Sequence, residues 1–316
     1  MEKKLPFDLN VEMRMYHNKS FPLGIIKANI QDYEVWLCNK LINCVYKNGT
    51  FDSVEEDIWS TREGLTFFQN MCLTPKTFAK KGLDLITFNK SMINDNFYVL
   101  GSYNEFYIPF KRPYKKYNFD HDYIIFGYDD YSFKSAAYIS NNKYEFFNIN
   151  YDDYLQGVVN STSEKVWLNF YRINPQYSPE INIDLIKVKL KNYLNSSVDV
   201  HGWTYGIDAW DKLSEYILNC QYVDLRFSRA YMEYHRVMMK RFEKLHELTY
   251  IKDTKMINDY YIDVYLKTEI VHNLFIKYYL TQDKDLILKI RKLIINTNEK
   301  ERELVELAVN EFFSIS

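Results

Sequence analysis

The stretch Asp120-His121-Asp122-Tyr123-Ile124-Ile125-Phe126-Gly127-Tyr128-Asp129-Asp130 decides the fold class. A histidine opens an apolar run of strand length, 123–127, and the turn signal Asp129-Asp130-Tyr131-Ser132 closes it. A second short run, 135–139, follows at once, so the pair predicts an antiparallel hairpin. Two further strand candidates flank it: 104–110, limited by Pro109 and Pro113, and 143–148. Asn150-Tyr151-Asp152-Asp153 then reads as the start of a short helix.

Ahead of the strands, residues 32–47 read as a helix. Asp32 is its N-cap, Leu37, Leu41, Cys44 and Val45 recur at helical spacing, and Lys47-Asn48-Gly49-Thr50 stops it. From about 180 onwards the pattern is helical, over 184–194, 206–219, 226–248, 258–280, 283–295 and 299–313, with a break at Asn296-Thr297-Asn298. In 226–248, Phe227, Tyr231, Tyr234, Met238, Phe242, Leu245 and Leu248 recur in threes and fours, as one buried face does. A groove for a partner, bordered by Met232, Met238 and Met239, is the alternative reading of that stripe. The 316 residues suffice for about two domains at roughly 150 residues each. Asn174-Pro175-Gln176-Tyr177-Ser178-Pro179 is the best boundary. The expectation is therefore α+β: residues 1–175 with an antiparallel sheet, then an α-helical domain over 176–316.

The formal charge of −2 excludes a general electrostatic grip on nucleic acid. No run approaches the 18 apolar residues of a membrane span. Lys3 and Lys4 are not followed by an apolar segment, so no secretory signal is expected, and a cytoplasmic setting with reduced thiols is. Cys38, Cys44, Cys72 and Cys220 form no CxxC pair, and His235 and His246, eleven apart on one helix, lack a third ligand, so no metal is expected. No glycine-rich phosphate loop occurs, and no cofactor is implied. Lys111-Arg112 and Lys115-Lys116 form a short basic cluster that reads as a solvated loop, or as a contact for a phosphate arm.

His121 is the strongest candidate for chemistry. A histidine at a strand start can face a cleft while the strand holds it rigid, and Tyr138-Ile139-Ser140-Asn141 comes off the far end of the partner strand. Asn141 is thus a candidate to orient the imidazole, as a carboxamide or carboxylate does in Cys-His-Asn and Ser-His-Asp triads.

These residues, with the helix at 32–47 and with Tyr205-Gly206-Ile207-Asp208-Ala209-Trp210-Asp211, Asp224-Leu225-Arg226-Phe227 and Glu233-Tyr234-His235 in the second half, resemble the butirosin biosynthesis protein H-like family. The fold implied is that of papain-like, bacteriocin-processing cysteine peptidases. The resemblance implies a Cys nucleophile at the start of the first helix, a His at this strand start, and an Asp or Asn after the next strand. It implies acyl transfer, or amide formation or cleavage, in peptide or aminoglycoside antibiotic biosynthesis. The acyl donor would be an acyl or peptidyl carrier protein thioester, and the acceptor a small molecule or peptide. His121 and Asn141 fit that pattern. At the nucleophile the chain departs from it: counting back from Gly49 reaches Val35, and the nearest thiol is Cys38. Gln31 is the candidate oxyanion donor. Cys38 has apolar helical neighbours, which make a thiol inert, whereas a place at a helix start would activate it. Two readings follow: a cysteine acyltransferase using Cys38, His121 and Asn141, or a catalytically degenerate relative that binds or scaffolds.

Overall fold

The computed structural model describes residues 2–47, 50–52, 84–140, 143–163, 167–174, 177–220 and 222–313. The fold is mixed α+β, with antiparallel sheets and a helical C-terminal region. Among the described residues no helix is long and apolar enough to cross a membrane. The chain forms two compact units, Met1–Gln31 with Ile58–Tyr177, and Asp32–Asp57 with Ser178–Ser316.

In chain order the strands are β1 (Lys3–Lys4), β2 (Val45–Lys47), β3 (Thr50–Asp52), β4 (Tyr98–Asn104), β5 (Asp120–Tyr128), β6 (Ser132–Tyr138), β7 (Tyr144–Asn150), β8 (Leu168–Tyr171), β9 (Ser197–Val198) and β10 (Thr204–Tyr205). The first unit holds an antiparallel sheet of order β7-β6-β5-β4-β8, with β1 on the end of β5. The expected hairpin is β5–β6. Asp129 makes its turn, Oδ1 accepting from the backbone N–H of Tyr131 at 2.9 Å and of Ser132 at 2.8 Å. Val99, Ile124, Phe133, Tyr154 and Phe170 are among the residues of its core. The helix expected at Asn150 is Tyr151–Val159.

The strand expected over 104–110 is misplaced. β4 ends at Asn104, whose side-chain oxygen accepts from the N–H of Phe106 at 3.0 Å and turns Glu105–Tyr107 into a 3-10 turn. A local side-chain bond there replaces the ladder. The first helix is also new: α1, His17–Asn29, contains Pro22 and Gly24 and has no side-chain cap from Tyr16. Both internal residues disfavour helix. Gly24 is required by packing, because a Cβ there would meet the ring of Phe7 at 2.5 Å. The helix Leu85–Asn94, capped by Asp84, completes the unit's described helices.

In the second unit the expected helix 32–47 is cut to α2, Tyr33–Cys38. Leu41 takes φ 57°, which ends it. Arg241, fully buried, captures the freed carbonyls: Nε donates to Cys38 O at 3.0 Å and Nη2 to Lys40 O at 2.5 Å. Val45–Lys47 then joins a small sheet of order β3-β2-β10-β9. Gly206 follows β10 at φ 79°, its N–H donating to Cys44 O at 3.0 Å. A Cβ there would collide with the Tyr193 carbonyl, so only glycine fits.

Helices Ile183–Asn195, Asp208–Asn219 and Leu225–Glu247 match three expected ones to within two residues. Met238 and Met239 are buried with Tyr231, Tyr234 and Phe242, so the methionine-bordered stripe is core and not a groove. The run 258–280 is instead Thr254–Asp259, a π-helical turn Tyr260–Tyr265, and Leu266–Thr281. The break at 296–298 is absent from the continuous helix Asp285–Phe313. Asn298 is buried there, accepting from Tyr231 Oη at 2.6 Å and donating to Asp211 Oδ1 at 2.8 Å. A polar triplet that reads as a stop is part of a satisfied internal network.

Candidate functional site

His121 lies in the first unit, near the start of β5, where the β4 register sets Tyr103 opposite it. Two residues past Tyr103 the chain has left the strand, and Glu105 sits in the 3-10 turn. Its carboxylate, only 6% exposed, accepts from His121 Nδ1 at 3.0 Å and from Lys111 Nζ at 3.2 Å. Lys111, 2% exposed, also donates to Tyr138 O at 2.9 Å. Burial would raise the Glu105 carboxyl; the bond from His121 and the charge of Lys111 outweigh it and hold Glu105 below the ordinary carboxylate range. Burial pulls the Lys111 ammonium down, and Glu105 opposes that. Glu105 therefore orients the imidazole of His121, whose side chain is 39% exposed and makes no second hydrogen bond among the described residues. The arrangement is that of a general acid–base histidine with a buried orienting carboxylate.

The front of α1 meets this histidine. His17, the first residue of the helix, is buried and stacks on His121, ring centroids 4.4 Å apart, and on Phe21 at the same distance. Burial, with the charges of His121 and Lys111, pushes His17 well below its ordinary value, so the ring is neutral. Among the described residues neither ring nitrogen of His17 has a hydrogen-bond partner of good geometry, and the backbone of Asp122 opposes the downward shift only in part. Asn18, Lys19 and Ser20 complete the first turn, so no thiol stands at the helix front.

The other candidates are placed elsewhere. Cys38 belongs to the second unit, whereas His121 and Gln31 belong to the first. Cys38 is the last residue of α2, at the end whose dipole opposes a thiolate. Its thiol is buried, bonds Arg241 O at 3.9 Å, and is pushed up to about 11 by burial, against the charges of Arg241 and Lys244. Val35 lies mid-helix in α2. Gln31 is exposed in the turn before it. Asn141 and Cys72 lie outside the described residues. Cys44 is buried, its thiol bonded to Gly206 O at 2.9 Å.

Lys111 is not part of a solvated basic loop; it is the buried partner of Glu105. His235 is consumed by Tyr231 O at 2.6 Å and Glu301 Oε2 at 2.9 Å, and His246 by Ile251 O at 2.7 Å. Among the described residues no group of three or more His, Cys, Asp or Glu could hold a metal ion.

Sequence reasoning missed Glu105 and His17. Glu105 is sixteen residues from His121 and becomes its partner only through the β4–β5 register. His17 was hidden because α1 carries helix breakers. The sequence matches no family model and no curated protein.

Proposed function

We propose that this protein is a catalytically degenerate relative of papain-like cysteine acyltransferases and peptidases. Its His121–Glu105 site serves binding in a peptide or aminoglycoside biosynthetic pathway. The observation that carries the reading is the stack of His17 on His121 at 4.4 Å. A papain-like site sets a thiol at a helix front beside a histidine, where the free N–H groups and the imidazole lower its pKa. Here the helix front beside the histidine carries an imidazole. The retained acid–base histidine and its orienting carboxylate support descent from an active fold.

The acyltransferase reading needs a thiolate from Cys38. A thiol pushed up to about 11, at a helix C-terminal end, is poorly suited to that role. The test is acyl transfer itself: incubate the full chain with a short-chain acyl thioester at pH 7.5 and weigh it intact. The degenerate reading expects no acyl adduct in the wild type or in Cys38→Ala. A stoichiometric adduct that is lost in His121→Ala would overturn it.

A further inference from the structure

The first unit holds a second feature, remote in kind from the histidine site: a cavity of about 630 Å³ whose lining, among the described residues, contains a cation and several amides and no carboxylate. Arg172 supplies the cation. Its guanidinium carbon sits 4.8 Å from the centre of the Phe97 ring, and among the described residues it makes no hydrogen bond or ion pair. Five N–H donors in a planar fork are thus held by an aromatic face and left open.

The amides are oriented by their other bonds. Lys3 Nζ donates to Asn96 Oδ1 at 3.0 Å, which leaves the Asn96 NH2 as a donor. Asn96 is in the left-handed region at φ 64°, one residue beyond Asp95, which caps the end of the helix Leu85–Asn94. Asn29 Nδ2 donates to Ile25 O at 2.7 Å and to Tyr98 Oη at 2.9 Å, which leaves its Oδ1 as an acceptor. Tyr98 in turn donates to Pro6 O at 2.5 Å, so its hydroxyl is satisfied and serves only to hold Asn29. Leu5 and Ile173 add apolar wall. The lining therefore offers a forked cation, the Asn96 amide as donor, the Asn29 amide as acceptor and a hydrocarbon surface.

We infer that this cavity binds the carboxylate of an N-acylated amino acid. Arg172 would take the carboxylate bidentately with help from Asn96, Asn29 would accept the amide N–H, and Leu5 and Ile173 would meet the side chain. The same chemistry comes from two sources, a free acylamino acid and the C-terminus of a peptide. Neither the absent thiol nor the fold relationship proposed above enters this inference.

The experiment is titration of the full-length protein, followed by NMR or calorimetry, with N-acetyl-leucine, N-acetyl-leucinamide, a leucine-terminated tetrapeptide and inorganic phosphate. Arg172 is exposed, so Arg172→Met should fold normally. Saturable binding of N-acetyl-leucine, weakened about tenfold or more by amidation or by Arg172→Met, is expected. Asn96→Ala should weaken it by a smaller factor. Tighter binding of the tetrapeptide would assign the peptide source, and equal or weaker binding the free acid. Failure of both acids to saturate, equal binding of the amide, an unchanged Arg172→Met, or phosphate binding as tightly as the acids would each overturn the inference.

Discussion

Among the described residues His17 Nδ1 and Nε2 are buried with no hydrogen-bond partner of good geometry, while the ring lies 4.4 Å from that of His121. A polar ring in that position is tolerated only in its neutral form, and it fills the space beside His121. The stack ties a local energetic cost to the functional reading.

His17→Phe keeps the stack and removes the two orphaned nitrogens, so stability at pH 7 should hold within about 1 kcal/mol of wild type. Its acid response should differ more. The unfolded His17 ring takes a proton near its ordinary 6.5, and the buried ring does not. Its contribution is therefore complete above pH 6.5 and is lost as the pH falls toward the depressed native value. His272, dropped to about 4 by burial and the charge of Arg229, acts in the same direction and window. Urea titrations at pH 7 and 5 should show a shallower loss in His17→Phe, by up to about 1.4 kcal/mol per pH unit. Identical slopes would mean that His17 is not buried as described.

Glu105→Gln removes the carboxylate that pairs with buried Lys111 and orients His121. An unpaired buried ammonium should cost about 3 kcal/mol or more. Combining it with Lys111→Met should recover part of that loss, since no orphaned charge remains. Chemical denaturation of the two single variants and the double variant measures the coupling.

Arg241→Met should destabilise the second unit by about 2 to 4 kcal/mol, because the carbonyls of Cys38 and Lys40 lose their buried donor. It should also open α2, so that Cys38 is alkylated faster at pH 8. In the wild type Cys38 should resist alkylation until the protein unfolds, as a buried thiol pushed up to about 11 does. Site-resolved mass spectrometry reads both effects.

The hairpin and the helix Leu225–Glu247 were legible because each announces itself locally. The β5–β6 turn is signalled by Asp129 and Ser132, and the helix Leu225–Glu247 by its apolar stripe. α1 was not legible, because Pro22 and Gly24 break its pattern and the reason they are tolerated lies in packing against Phe7. The end of α2 was not legible either, since it depends on Arg241, some 200 residues away. Of the site, His121 could be read from its strand. Glu105 and His17 required the sheet register and a helix that local pattern conceals.

The most direct test of the central claim installs what the site lacks. In His17→Cys, the rate of alkylation at residue 17, followed against pH by site-resolved mass spectrometry, gives the thiol pKa. The account predicts a value a unit or more below the ordinary ~8.5, returning upward when His121→Ala is added. A thiol at or above ~8.5 that is indifferent to His121 would contradict a helix front built for a nucleophile beside that histidine.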